Sequence, residues 1–298
     1  MAPLWSYLST GYLLAMSVWL LTGIAIFFLL LKRRQHRRSA GKSLTAIHVA
    51  LGIWFCLAAL TIPELYCALF SDHTDSFSMT NISRRWFNRH VRLNAQGFRD
   101  EIPFDTLPAD GRQRLVFIGD SFTFGHGIDE LRLRFSDRVA QQLEVAHPEK
   151  WQVNNAGTPG WELRQIVETV DGWTKEGAQI DVLVYAFVLN DIEYFDERTG
   201  AYYQQLATLE PRFWFFRETY FYNQFYYRVQ AMSRSESVGY YTYLQQSYAG
   251  PPWDRFTAKL DELQGICRRN QIDLRIVSFP FLHTSEGEDP FAQALNQL

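Results

Sequence analysis

The chain has 298 residues, with 29 Lys and Arg against 32 Asp and Glu, a formal net charge of −3. Residues 1–70 hold six of the basic and one of the acidic side chains, so the remainder holds 23 basic and 31 acidic side chains. That acidic remainder argues against nucleic acid as a partner, because phosphates require a basic face. Only one of the three cysteines lies beyond residue 70, which excludes a disulfide framework or a cysteine zinc site there.

Two apolar stretches predict a transmembrane hairpin within residues 1–70. Leu13 to Leu31 runs without a charge and is long enough to span a bilayer, and a second stretch runs from Leu44 to Phe70. The six basic residues lie between them, from Lys32 to Lys42. A cleaved signal peptide fits poorly, because no basic residue precedes the first run and no small-x-small site ends it.

The basic loop predicts an orientation for this multi-pass anchor. Positively charged loops stay in the cytoplasm, so the bulk of the chain is expected on the periplasmic or extracellular side of the cytoplasmic (inner) membrane. Glu64 lies beside Pro63 near the outer end of the second stretch. We interpret it as a residue at the membrane interface; a functional intramembrane acid is the alternative.

Residues 71–93 are polar and mixed, as is typical of a linker, and one folded domain is expected over 94–298. Within it, apolar runs alternate with segments whose apolar residues recur at helical spacing. The expected strands are Leu115–Ile118, Trp151–Asn155, Val182–Val188 and Leu274–Phe281. This alternation predicts an α/β fold, a three-layer α/β/α domain with a flavodoxin-like parallel sheet.

An aromatic-rich insertion, residues 192–253, interrupts the alternation. A helical insertion that packs a small core of its own would explain the aromatic side chains without any ligand. An acyl- or sugar-binding wall over the site and a patch that touches lipid are the functional alternatives.

The first candidate site residue is Ser121, in Gly119-Asp120-Ser121-Phe122-Thr123 directly after the first apolar run. A buried strand that stops at this turn presents one hydroxyl at the carboxyl edge of the sheet, where α/β proteins build their sites. A serine is a weak nucleophile unless a base removes its proton. The alternative role for Ser121 is to cap the following helix.

Two further polar motifs follow expected strands. Asn155-Ala156-Gly157 and Asn190-Asp191 end the second and third of them. The backbone N–H of Gly157, the side-chain amide of Asn190 and the N–H of Ser121 would give three donors to a tetrahedral oxyanion. Taken singly, each is explained as a turn residue; their order at three strand ends favours a site.

These motifs resemble the conserved blocks of the SGNH/GDSL hydrolases. Gly119-Asp120-Ser121-Phe122 is similar to the first block, with Phe where the family name has Leu, and Asn155-Ala156-Gly157 is similar to the second. Asn190-Asp191 resembles the third, although Val188 stands where that block often has Gly. Asn94 to Asp100 also resembles a lead-in of membrane-anchored bacterial members. The resemblance implies Ser121 as nucleophile and Ser121, Gly157 and Asn190 as oxyanion donors.

The Asp-x-x-His block that supplies the family's base does not follow Phe281. His283 comes too early and has no acid three residues before it, and His126 lies on a loop that leads away from Ser121. Asp120 and Asp191 are candidate acids, although each flanks a motif turn and is expected to hold backbone amides.

Residues 289–298 start a helical pattern that stops without a cap. Two interpretations of the missing block therefore stay open: a truncated copy of a longer chain, or a complete chain without a competent base.

The sequence therefore predicts a serine-dependent esterase acting on an O-acyl ester outside the membrane, with acylated glycans or lipids as substrates and with no metal or organic cofactor. An O-acetyltransferase for an envelope or exported polysaccharide would carry the same motifs. A non-catalytic, membrane-tethered binding module is the third hypothesis.

Overall fold

A computed structural model of the chain describes residues 3–75, 78–197, 209–232, 240–248 and 250–279. The described residues fall into two compact units.

The first, the anchor unit, comprises the described residues of Met1–Arg89 and Thr208–Arg234. The second, the sheet unit, comprises the described residues of His90–Ala207 and Ser235–Leu298.

Helices and strands alternate through the sheet unit, whereas the anchor unit is helical in its described part. The helices are α1 (Thr10–Ser39), α2 (Thr45–Ala59), α3 (Thr61–Phe70), α4 (Asn81–His90), α5 (Ser121–Phe124), α6 (Phe135–Ala146), α7 (Leu163–Lys175), α8 (Trp214–Glu218), α9 (Phe221–Met232), α10 (Tyr240–Tyr248) and α11 (Pro251–Arg269). The strands are β1 (Gln113–Gly119), β2 (Trp151–Gly157), β3 (Val182–Val188) and β4 (Asp273–Phe279). Short 3-10 helices include Leu189–Phe195, which follows β3.

The four strands form one parallel sheet in the order β2-β1-β3-β4. Gly119, the last residue of β1, pairs with Gly157 of β2 and with Ala186 of β3. The carboxyl ends of these three strands therefore meet at one edge. The chain leaves β1 toward β2 and returns to the other side for β3, and such a switch point is where open α/β sheets bind ligands.

Helices cover both faces of the sheet, since alternate strand residues point to opposite sides. On one face, Val116, Ile118, Leu183, Tyr185 and Phe187 pack with apolar residues of α7 and α11. On the other, Leu115, Phe117, Val153 and Val184 pack with Phe135, Val139 and Leu143 of α6. Strands buried on both faces read as continuous apolar runs, which is why the sequence revealed them.

The predicted α/β class and parallel sheet are confirmed. The predicted strands agree with β1, β2, β3 and β4 to within two residues at each described end, and residues 280 and 281 of the fourth predicted strand lie outside the described residues. Residues 71–93, which were expected to form a linker, instead contain α4, whose Ile82 and Trp86 are fully buried. The helix expected over 290–298 lies outside the described residues.

The aromatic insertion, residues 192–253, contributes to two cores. Leu244 and Tyr248 of α10 are buried with the sheet unit's main core. Tyr220 is buried in a core of the anchor unit with Tyr12 and Ile82, and Phe221 packs against it. Tyr220 and Tyr248 therefore pack within the cores of the two units and not in a separate core of the insertion.

The anchor unit contains two helical stretches, Thr10–Ser39 and Thr45–Phe70, that are long and apolar enough to cross a membrane. Only 11% and 6% of their apolar windows are buried, unlike the core helix of a soluble protein. Trp54 Nε1 donates to the carbonyl of Gly23 at 2.9 Å and ties the stretches together. These features agree with the predicted hairpin in length and composition.

Candidate active site

Ser121 begins α5, the one-turn helix that follows β1. Asp120 caps this helix, because its Oδ1 accepts from the backbone N–H of Phe122 at 2.8 Å. Gly125 ends the helix in the left-handed region, with φ 76°. Ser121 is half-buried rather than enclosed, and its Oγ donates a long hydrogen bond of 3.4 Å to Asp120 Oδ2. The hydroxyl therefore lies at the rim of the sheet.

The helix α5 packs directly on the strand ends, where two glycines leave room for it. A Cβ added to Gly157 would lie 2.8 Å from Phe124 Cα and closer still to the Phe124 backbone nitrogen. A Cβ on Gly119 would lie 2.8 Å from the carbonyl oxygen of Ala186. Real Cβ atoms do not approach backbone atoms so closely, so the position of Ser121 depends on both glycines.

Asn155 fastens α5 to β2. Its Nδ2 donates to the carbonyl of Thr123 at 2.7 Å and to Ser136 Oγ at 2.6 Å. Its Oδ1 accepts from the N–H of Gly157 at 2.9 Å. The predicted oxyanion donor of Gly157 is therefore engaged within its own motif in this structure, and its role toward a substrate stays a prediction.

Gly160 lies three residues further along the same loop and was not singled out from the sequence. Its backbone is exposed, with φ +79°, and a Cβ there would meet only Tyr194 Oη, at 3.9 Å. Within the ranges that the structure describes, the Gly160 N–H has no acceptor. This loop thus offers a second backbone donor, signalled in the sequence only by a repeated glycine.

Asn190 lies in the first turn after β3 and is half-buried. Its side-chain amide makes no hydrogen bond to any other residue in the described part of the chain. The adjacent Asp191 is buried, and its Oδ2 accepts from Tyr185 Oη at 2.6 Å and from the Val188 N–H at 3.3 Å. Asp191 therefore holds the turn that presents Asn190.

Strand pairing brings the predicted site residues to one edge in the order β2, β1, β3. Gly157 ends β2, Ser121 comes two residues after the end of β1, and Asn190 comes two residues after the end of β3. A hydroxyl and amide groups consequently share the switch-point edge.

Two buried carboxyl groups, those of Asp120 and Asp191, flank the site. Burial raises the pKa of Asp120 to about 6, partly offset by hydrogen bonds from the Phe122 N–H and from Ser121. Burial, followed by repulsion from Asp120, raises the pKa of Asp191 well above its ordinary value. Burial therefore favours the neutral form of both carboxyl groups, and Asp120, with a pKa of about 6, is ionised at neutral pH.

His126, the remaining supporting candidate, lies on the loop after α5 and is half-buried. Its backbone N–H donates to the carbonyl of Ser121 at 2.9 Å. His283 lies outside the described residues. Among the described side chains, no group of three or more His, Cys, Asp or Glu converges to hold a metal ion.

Two buried arginines hold the loop after α5, and the sequence analysis did not single them out. Arg99 donates from its guanidinium to the carbonyls of Gly125 and Ile128, both at 2.7 Å. Arg134 binds Asp137 at 2.7 Å and also donates to the carbonyl of Arg99. The signal that could have found Arg99 is its place in the lead-in Asn94 to Asp100.

The end of that lead-in is also attached to the site. Asp100 Oδ2 accepts from the Asn155 N–H at 2.9 Å and from Asn154 Nδ2 at 3.2 Å. The lead-in therefore supports the strand that carries the Asn155 clamp.

Comparisons of the chain with protein-family models, with curated proteins and with solved structures find no match. The functional interpretation consequently depends on the residues and geometry above.

Replacing Gly157 by Ala is expected to destabilise the protein, because the new Cβ would overlap the backbone of α5. Overpacking of this kind costs about 1–3 kcal/mol. The matched control is Gly172→Ala in α7, where a Cβ meets nothing within 4 Å and better helix propensity should add about 0.5–1 kcal/mol. Thermal unfolding of the full chain in detergent measures both, and equal midpoints for the two variants would contradict the close approach.

The Asp120→Asn variant is expected to become more stable relative to the wild type as pH rises. The folded-state pKa of Asp120, about 6, exceeds the ordinary 3.8, so between these values the folded chain binds more protons and loses stability with rising pH. The wild type should lose roughly 3 kcal/mol against Asp120→Asn over that window. Unfolding midpoints of wild type and Asp120→Asn at acidic and neutral pH test this, and Asp261→Asn, which changes an exposed acid, is the control. A difference between wild type and Asp120→Asn that is the same at both pH values would refute the raised pKa of Asp120.

Proposed function

We propose that this chain is a serine-dependent ester hydrolase of the SGNH/GDSL type, acting on an O-acyl ester outside the cytoplasmic membrane. The observation that carries the proposal is the half-buried Ser121 hydroxyl at the rim of the sheet, with the Asn190 amide and the Gly157–Gly160 loop at the adjoining strand ends. A nucleophile beside amide donors suits acyl transfer, in which negative charge develops on a carbonyl oxygen.

In the first step, Ser121 Oγ attacks the acyl carbonyl carbon and gives up its proton to a base. The tetrahedral intermediate then collapses, the ester C–O bond breaks, and the alcohol leaves with a proton. Water repeats the attack on the acyl-serine and releases the acid, which restores the Ser121 hydroxyl. In an acyltransferase, a sugar hydroxyl would attack the acyl-serine in place of water, and the first step would be the same.

The oxyanion would be held by the Ser121 N–H at the start of α5, by the Asn190 side chain and by a backbone N–H of the Gly157–Gly160 loop. The amide of Asn190 is available for this role, since it makes no hydrogen bond within the described residues. Gly160 supplies the loop's open N–H, while Gly157 keeps the loop close to α5.

Asp120 is the ionisable side chain with a described hydrogen bond to Ser121 Oγ, at 3.4 Å. Because its pKa is about 6, its carboxylate is available at neutral pH to accept the serine proton. The Asp–His pair implied by the family resemblance would be a stronger base than this carboxylate.

The substrate class follows from location. Two candidate spans with a basic loop between them favour a sheet unit on the periplasmic or extracellular side of the membrane. Acylated glycans and lipids are the esters found there.

A fluorophosphonate should form a covalent adduct on Ser121 of the full-length chain, detected by peptide mass spectrometry. Ser121→Ala should abolish the adduct, and Asn190→Ala should slow its formation by about 10²–10³-fold through loss of one oxyanion donor. The exposed Ser43→Ala serves as the control. A folded wild-type chain that forms no adduct at Ser121 would reject the enzymatic proposal and favour the binding module.

A further inference from the structure

The anchor unit exposes apolar side chains on α9, well outside the two candidate spans. Phe225, Val229 and Met232 are 53%, 43% and 85% exposed. Their spacing of four and then three residues puts them on one face of α9, here called the α9 stripe. Asn223, on the opposite side of the helix, is buried in the unit. The stripe therefore points away from the unit's own core.

The N-terminus of α9 is fixed to the second candidate span by Glu64 of α3. Glu64 Oε1 accepts from the N–H of Tyr220 at 2.8 Å, and Oε2 accepts from those of Phe221 and Tyr222 at 2.9 and 3.3 Å. A carboxylate suits a helix start, where backbone donors have no partner within the helix. Glu64 is fully buried, so this contact is enclosed.

Arg85 of α4 adds a second attachment at the same place. Its guanidinium donates to the carbonyls of Cys67, Ala68 and Ser71 at the end of α3. It also lies 4.2 Å from the ring centroid of Tyr220, as in a cation–π contact. Arg85 therefore joins the end of the span to the residue that precedes α9.

Asn81 provides a third attachment. Its Nδ2 donates to the carbonyls of Arg217 and Thr219, both at 2.7 Å, and its N–H donates to Asn223 Oδ1 at 2.9 Å. The helices α8 and α9 are thus held to the α3–α4 corner at both the turn between them and the first turn of α9.

Along each span, the distance from the basic loop to the residues that hold the start of α9 is close to the thickness of the bilayer's hydrocarbon core. From Thr45 to Glu64 the second span rises about 29 Å at 1.5 Å per residue, close to the ~30 Å hydrocarbon core of a bilayer. From Lys32 back to Tyr12 the first span rises about 30 Å. The Tyr12 ring packs against that of Tyr220, with centroids 5.0 Å apart. Both spans therefore locate the start of α9 at the membrane interface remote from the basic loop.

We propose that α8 and α9 form a lipid-binding platform that lies on this membrane surface, with the α9 stripe inserted at the boundary between headgroups and acyl chains. The stripe continues the apolar surface of the spans, because Phe225 stacks on Phe221, which packs against the core shared with α1 and α3. Exposed Arg228 is next to Val229 on α9 and can reach lipid phosphates, as basic side chains do in interfacial amphipathic helices.

A nitroxide label at Val229→Cys tests the platform in the full-length chain, reconstituted into phosphatidylcholine–phosphatidylglycerol vesicles. Cys56→Ser removes the exposed native thiol, whereas Cys67 and Cys267 are buried. Leu21→Cys on α1 is the lipid reference, and Val145→Cys on α6 is the water reference; these native side chains are 68% and 85% exposed. Collision rates with oxygen and with a neutral nickel chelate are measured by power saturation.

The Val229 label should collide several-fold more with oxygen than with the chelate, as the Leu21 label should, while the Val145 label shows the reverse. Chelate-dominated collisions at Val229 would overturn the platform. Weak collisions with both reagents would also overturn it, because the stripe would then be covered by a second copy or another protein. A Leu21 label that collides mainly with the chelate would refute the membrane spans and with them the platform. This outcome is independent of whether the chain hydrolyses an ester.

The Glu64 attachment is tested in the same labelled chain. Glu64→Ala should increase the mobility of the Val229 label and reduce its oxygen preference, because three backbone N–H groups lose their acceptor. Glu210→Ala, which removes an exposed acid from the same segment, should change neither. Unchanged spectra in Glu64→Ala, with an unchanged circular dichroism spectrum, would refute Glu64 as the anchor of α9.

Discussion

The candidate site depends on the close approach of a one-turn helix to the ends of two parallel strands. The turn α5 can reach β2 only because Gly157 has no side chain, and it is then fastened there by the Asn155 amide. The same contact sets the distance between Ser121 and its neighbours at the sheet edge. Asn155 and Gly157 therefore support the turn that carries Ser121, and the Gly157 N–H is engaged by the Asn155 side chain.

Several charged side chains near the turn that carries Ser121 are buried. The guanidinium of Arg99 donates to backbone carbonyls of the loop after α5, and that of Arg134, which is paired with Asp137, donates to the carbonyl of Phe124 at the end of α5. Asp120 and Asp191 lie close enough to repel one another, and burial together with this repulsion raises the pKa of Asp191 well above its ordinary value. Asp120, whose pKa is about 6, is ionised at neutral pH and places a negative charge beside Ser121.

The sequence was sufficient for the sheet and for the common edge of the motifs, because buried parallel strands are continuous apolar runs and their carboxyl ends align. It did not predict the attachment of residues 209–232 to the anchor unit. That attachment depends on single side chains such as Glu64 and Asn81, which bind backbone groups more than 130 residues away and leave no local pattern. Nor did it predict the buried Arg99 and Arg134, which donate to backbone carbonyls. The catalytic roles of Ser121, Gly157 and Asn190 remain predictions.

The most direct test of the central claim is an experimental structure of the full-length chain after reaction with a phosphonate ester. We expect phosphorus bonded to Ser121 Oγ, with the phosphonyl oxygen about 2.7–3.1 Å from the Ser121 nitrogen, from Asn190 Nδ2 and from one backbone nitrogen of the Gly157–Gly160 loop. A phosphonyl oxygen directed to solvent away from all three donors, or an adduct on a different residue, would contradict the account.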